Sequence, residues 1–478
     1  MSKKILTNLF LLLAINLVIK PFWILGIDRT VQNTVGNHDY GSYMIMFNIS
    51  LLFTMFLDFG INNYTSTFIA KHKHLLNKKF ATLFPLKLIF SAAYFVITLS
   101  FGLVFGYTGK PFVLLLILAF NQVLAYFILF FRANISGLQM FRTDAFLSVT
   151  DRGMMIVFAG LLMLTFTGNF KIEYFIVAQT LGYLSSFAIS FWVLKKPLQS
   201  IKLNFNKLLM WSMIRQSWPY ALLALLMTVY MRADILIMKK ILPDGVEQTG
   251  VYAVATRLLE AANMMAVLVA TMLLPLFSNM IKAKQDLSSL IKMSMLLLII
   301  PSVGVAALAW FYNTEIMLLL SKTSPIESAA VFKYVMISFI AMCTMYIFGT
   351  LLTANGNLKL LNTLAAIALL INIVINILLQ PKLGAQGAAI AAVCTHGFIA
   401  VTNMFFANKK LGIKLSIGYL LRLLSVLLVT IFMVGLLHVE GFNFLLAALL
   451  AAVASVILLF VTRLFNIQQF KQLLQNRL

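Results

Sequence analysis

Seven cations, Lys87, Arg132, Arg152, Arg215, Arg232, Arg257 and Lys333, lie within or at the ends of long apolar stretches, against four carboxylates, Asp58, Asp151, Asp234 and Glu260. A charge near the middle of a membrane helix costs at least ~2.5 kcal/mol on insertion scales, so such residues face a partner or a watery cavity. Their sign then carries chemistry. Arginine stays ionised and presents a planar fork suited to phosphate oxygens, so a net cationic lining suits an anionic cargo and suits a cationic one poorly. The carboxylates are candidates for exchanging an ion or a proton with conformation, because a low dielectric raises their proton affinity.

The elements that must hold these groups follow from composition. Of 478 residues 62% are hydrophobic and 11% charged, an apolar excess that a water-soluble fold could not cover. Apolar runs of bilayer-spanning length recur along the chain and do not alternate at period two, which predicts membrane helices rather than a barrel. Spans are expected near 6–28, 40–70, 82–106, 111–137, 144–167 and 172–194, then 212–240, 250–280, 291–314, 330–354, 358–380 and 384–407, and finally 417–437 and 442–464. The fold class is thus all-α integral membrane with about fourteen transmembrane helices. The first apolar run lacks a small-residue cleavage site and reads as a retained span rather than a signal peptide. Cys343 and Cys394 fall inside apolar helices, where a small hydrophobic role is expected and neither a disulfide nor a metal is.

A polar, lysine-rich break separates the first six spans from the next six. The expected organisation is an N-terminal six-helix lobe over 1–195, a basic linker over 196–210, a C-terminal six-helix lobe over 211–408, two further helices over 409–465 and an interfacial tail over 466–478. Lysine and arginine concentrate on alternate breaks, which places both termini in the cytoplasm. This topology and anionic membrane lipid account for much of the formal net charge of +23, so nucleic acid is not required as a partner. Catalytic motifs and phosphate-cradling glycine loops are lacking, and no loop is large enough for a catalytic domain, so an enzyme is not expected. His72 and His74 sit on a lysine-rich loop that reads as a solvated face rather than a metal site.

The two halves resemble each other. Gly41-Ser42-Tyr43 and Gly250-Val251-Tyr252 recur at the starts of the second and eighth helices, Asp28 and Asp234 precede them, and Gly137 and Gly356 mark comparable breaks. Equivalent helices run in the same direction, which makes a parallel repeat. Interface preference of glycine and tyrosine is the blander account.

Five stretches carry a wider resemblance: Gly36 to Tyr43, Leu57-Asp-Phe-Gly-Ile-Asn62 closing the second helix, Ile135 to Arg142, Thr249 to Arg257 and Leu383 to Ala391. In order and spacing they are similar to the multidrug, oligosaccharidyl-lipid and polysaccharide exporter superfamily, in particular its polysaccharide flippase branch, often called Wzx. The resemblance implies two bundles of six helices around a central cavity with two extra helices. It also implies alternating-access movement of undecaprenyl-diphosphate-linked oligosaccharide repeat units, for lipopolysaccharide O-antigen or other surface polysaccharide, to the outer leaflet of a bacterial inner membrane. A polysaccharide polymerase and glycosyltransferases become candidate partners. No cofactor is implied, and coupling to a Na+ or H+ gradient is left open. The alternative is a cation-coupled multidrug exporter of the same superfamily.

Under the flippase reading the diphosphate and sugar would be held by Arg29, Arg132, Arg152, Arg215, Arg232 and Arg257, with Asp58, Asp151, Asp234 and Glu260 as ion-coupling candidates. Arg132, Asp151, Arg152 and Arg215 fall toward the cytoplasmic side, and Arg29, Arg232, Arg257 and Glu260 toward the outer side. Snorkelling to the interface is the simpler reading of Arg215, Arg29 and Lys333. For Arg132, Arg152, Arg232 and Arg257 cavity function and internal pairing stand equal. Arg257 and Glu260, three apart, could pair, whereas Arg232 and Asp234 point in different directions. Pairing with Arg152 is the simpler role for Asp151. Lipid II flippases end their first helix in an adjacent arginine and aspartate, and here the order is reversed as Asp28-Arg29, which leaves the role of Arg29 in doubt.

Overall fold

A computed structural model of the chain describes residue 16 and residues 18–198, 204–205, 207–413 and 415–464. Among these residues every regular element is helical. Inside hydrocarbon a helix satisfies its own backbone donors and acceptors, which is why such sequences adopt it. The expected tail over 466–478, the first part of the span over 6–28 and the middle of the basic linker lie outside the described residues.

The chain divides into two compact units, Met1–Lys239 and Lys240–Leu478. In the first, a helical stretch at 18–22 passes through a π-helical turn, Trp23–Asp28, into α1 (Arg29–Leu52), which is kinked at Gly36 with φ of 83°. A 3-10 turn, Thr54–Leu57, then leads to α2 (Ile61–Lys71), α3 (Leu76–Val104), α4 (Lys110–Gly137), α5 (Phe141–Thr165), α6 (Ile172–Lys195) and α7 (Lys207–Ile241). Most of α7, expected to open the C-terminal lobe, groups with this unit. The second unit holds α8 (Gly245–Lys282), α9 (Ser288–Phe311), the short α10 (Asn313–Leu320), α11 (Pro325–Ala354), α12 (Leu358–Leu383), α13 (Ala385–Leu411), α14 (Ile417–Val439) and α15 (Phe444–Val461).

Twelve helices among the described residues are long and apolar enough to cross a bilayer, and the chain is a multi-pass membrane protein. Two expected spans differ from the rest. The first reaches into residues outside the described ones, and the second is not one helix. The stretch Leu57 to Asn62, expected to close that helix, interrupts it instead, since Phe59 and Gly60 take φ of 43° and 76° before helix resumes in α2. Left-handed backbone cannot continue a right-handed helix. Pro85, Pro219, Pro275 and Pro301, by contrast, are carried inside continuous helices.

Between membrane helices apolar contact gains little over lipid, so association rests on close packing and hydrogen bonds. In the first unit α4 packs against α1, α2 and α6, and Gly137 at its end admits Ile69: a Cβ there would lie 2.8 Å from the Cβ of Ile69. In the second unit α11 packs against α8, α9 and α13, and α14 and α15 lie along α9. Tyr419 of α14 donates to the Lys292 carbonyl at 3.0 Å, and the Thr430 and Ser455 hydroxyls meet at 3.1 Å.

Gly182 sets how closely α6 approaches α5. A Cβ at that position would stand 2.5 Å from Met155 Cγ and 3.0 Å from its backbone nitrogen. Gly182→Ala should therefore lower stability by about 1–3 kcal/mol, as overpacking of a close contact does, read as a fall in the thermal unfolding midpoint in detergent. An unchanged midpoint would show that the two helices separate without cost.

Candidate functional site

Residues of the opening helix, α4 and α5 build a charge cluster in the first unit. Arg132, five residues before the end of α4, donates from Nε to Asp144 Oδ1 at 2.8 Å, across the turn that joins α4 to α5. Arg152 lies eleven residues into α5, about 16 Å along the axis at 1.5 Å per residue, and so well inside the span. Its guanidinium stands 3.9 Å from Asp151, 5.8 Å from the centre of the Trp23 ring and 5.9 Å from that of Tyr183, with Met155 Sδ at 3.2 Å. Trp23 is fixed in turn by stacking on Phe175 at 5.5 Å. Lys20, from the opening helix, lies within electrostatic reach of Asp151, Arg152 and Arg132. Three cations thus share one region with two carboxylates, a surplus that can hold an anion.

On the π-helical turn, α1, α6 and α7 further polar groups are hydrogen-bonded into the helix packing. The Tyr40 hydroxyl donates to Asp28 Oδ1 at 2.9 Å, and Gln179 donates to the Tyr43 hydroxyl at 2.9 Å. Arg232 donates to Asn48 Oδ1 at 3.0 Å, while Asp234, two residues on, is buried. Arg29 is half-buried at the start of α1. Lys87 of α3, fully buried, meets Asp58 at 3.1 Å.

In the second unit Arg257 and Glu260 form the ion pair that their spacing allows, at 2.7 Å. Arg257 is twelve residues into the 38-residue α8, about 18 Å along the helix. A second polar feature is a buried amide ladder on α12. Gln380 donates to Asn376 at 2.6 Å, Asn376 to Asn372 at 3.1 Å, and Asn372 to Thr395 of α13 at 3.4 Å.

Of the expected binding residues, the structure brings Arg132 and Arg152 into one region, holds Arg232 and Arg257 in separate contacts, and leaves Arg215 exposed on α7. Lys333 lies over the rings of Trp310 and Tyr334, at 5.4 and 5.2 Å. Reading the sequence missed Lys20, although a lysine inside an apolar run is the same signal that marked Lys87. Asp144 escaped because its arginine is twelve positions away. The amide ladder has a signal too, an i, i+4, i+8 row of Asn372, Asn376 and Gln380, but neutral amides do not stand out in a search for charges.

The model of a family described as polysaccharide biosynthesis protein matches residues 5–281. No curated protein matches the sequence. Among solved structures the chain is similar to a lipid II flippase, MurJ, in an inward closed conformation, with 16% identity, 95% of this chain and 98% of that chain covered, and a TM-score of 0.72. It is also similar to an inward-facing multidrug resistance transporter of the MATE family, with 13% identity, coverage of 82% and 94%, and a TM-score of 0.63. A MOP superfamily transporter from Pyrococcus furiosus gives 13% identity, coverage of 85% and 94%, and a TM-score of 0.58. These likenesses establish the fold.

If the Arg132 to Asp144 contact holds the turn between α4 and α5, a double-mutant cycle of Arg132→Ala and Asp144→Ala in thermal unfolding should give a coupling of about 0.5–3 kcal/mol. Strictly additive effects would show that the two side chains act independently.

Proposed function

The chain belongs to the polysaccharide biosynthesis protein family, and from that premise we propose that it is a flippase for undecaprenyl-diphosphate-linked oligosaccharide. The cargo moves from the cytoplasmic to the outer leaflet of a bacterial inner membrane by alternating access, with both termini in the cytoplasm. One observation carries this reading: Lys20, Arg132 and Arg152, all half-buried, lie within electrostatic reach of one another in the first unit with two carboxylates among them.

The chemistry follows from that surplus. A diphosphate offers two linked anionic groups. Arg152 meets one with a planar fork while its non-polar flank rests near Trp23 and Tyr183, and Lys20 supplies a point charge that can follow a moving headgroup. Arg132 exchanges part of its bond to Asp144 for a phosphate oxygen, so the carboxylate returns the arginine to its resting place once cargo leaves. A cationic drug would meet repulsion in the same region. This weighs against the multidrug exporter reading despite the shared fold. Arg232 and Arg257, each anchored to a neighbour, stand ready as later contacts along the path.

Cells lacking the protein should accumulate lipid-linked repeat units on the cytoplasmic leaflet. In vesicles, Lys20→Ala and Arg152→Ala should each weaken cargo binding by about tenfold or more, the weight of one charge-assisted contact, while abundance stays near wild type. Raised drug sensitivity without any build-up of lipid-linked sugar would transfer the reading to an exporter.

A further inference from the structure

The second span of the first unit is broken at residues whose backbone is costly to hold. Phe59 is a bulky residue with φ of 43°, a region that side chains with a Cβ rarely occupy, and Gly60 follows with φ of 76°. Such outliers persist where surrounding structure over-determines them, and they cluster at elements that switch. Here the surroundings are specific. Phe59 packs on Phe56 at 5.6 Å and on Phe90 of α3 at 4.8 Å. Asp58 does two things at once: it accepts the Asn62 backbone N–H at 3.2 Å, capping the start of α2, and it accepts from Lys87 at 3.1 Å.

Lys87 is eleven residues into α3, about 16 Å along its axis, so the pair lies deep in the span. Its side chain is 0% exposed against 23% for Asp58, and its ammonium lies 5.6 Å from the Tyr126 ring and 6.0 Å from the Phe130 ring of α4. A buried ammonium that far from water needs a carboxylate nearby. In the bent form the same Asp58 carboxylate both meets Lys87 and caps the resumed helix.

We propose that residues 58–60 are a hinge dividing the second span into two segments, and that the Asp58–Lys87 pair is the clasp that holds it bent. Lys87 is then a positioning residue that acts on the backbone through Asp58. With the clasp released, Phe59 and Gly60 relax toward right-handed values, and α1 and α2 join into a straighter rod. The idea requires only that the first unit changes shape, whichever cargo it carries, so a failed transport assay leaves it standing.

The test uses the full-length protein in lipid nanodiscs, carrying Cys343→Ser and Cys394→Ser. Spin labels at His38→Cys and Ala70→Cys, both exposed, bracket the break. With the clasp intact the labels should report a distance well short of the about 48 Å that 32 residues of unbroken helix would span. Asp58→Asn combined with Lys87→Met removes both charges together, leaving neither one buried alone, and should move the distribution toward that longer value. Gly60→Ala penalises the bent backbone without touching either charge and should move it the same way. A double variant that keeps the parental distribution overturns the clasp. Should the double variant fail to fold, an unchanged distribution in Gly60→Ala overturns the hinge.

Discussion

An ionised group in hydrocarbon must be compensated where it stands, and the interior of this protein is arranged around that requirement. Water solvates a charge from any direction at little cost, whereas the bilayer offers nothing comparable. Lys87 with Asp58, Arg132 with Asp144 and Arg257 with Glu260 are three answers to the same problem, at 3.1, 2.8 and 2.7 Å. Each answer fixes a backbone feature as well. The first holds the break in the second span, the second bridges the turn from α4 to α5, and the third lies along one face of α8. In the first unit charge compensation therefore also helps to register the helices, because apolar side chains alone distinguish poorly between one helix neighbour and lipid.

The same requirement explains the uneven legibility of the sequence. Helices were readable almost everywhere because membrane length and apolarity are local properties, and twelve spans among the described residues follow directly from them. The Arg257 to Glu260 pair was readable for the same reason, since three residues on a helix bring two side chains to one face. Arg132 with Asp144 was not, because their meeting depends on how two helices leave a turn. Nor was the interruption at Phe59 and Gly60. A single glycine in an apolar run is common in membrane helices, and nothing local says that a phenylalanine beside it will be left-handed. The information lies in Lys87, twenty-nine positions away, whose need for a carboxylate is met by the bend.

The two units answer their polar burdens differently. The first holds cations in excess of carboxylates in one region, whereas in the second a row of buried neutral amides, Asn372, Asn376 and Gln380, passes hydrogen bonds along α12 to Thr395 of α13. An amide both donates and accepts, so a row of them carries hydrogen bonds along a helix without any net charge. A cationic group cannot. An anion would consequently meet attraction at the cation cluster of the first unit and none at the amide row.

Choice of cation type sharpens this division. Lys87 presents a compact charge on a flexible stem to one carboxylate, with the rings of Tyr126 and Phe130 nearby and the side chain closed off from solvent. Arg152 is built the opposite way. Its planar fork stands at 3.9 Å from Asp151 and near two ring faces, an arrangement with several donors and more than one direction of approach. A lysine at that position could satisfy Asp151 but could not engage two phosphate oxygens in one plane, and an arginine at 87 would bring more donors than Asp58 can accept. The residues that hold the backbone and the residues suited to hold a cargo are thus separable by donor geometry: single-partner lysine at the break, many-donor arginine where an anion would pass.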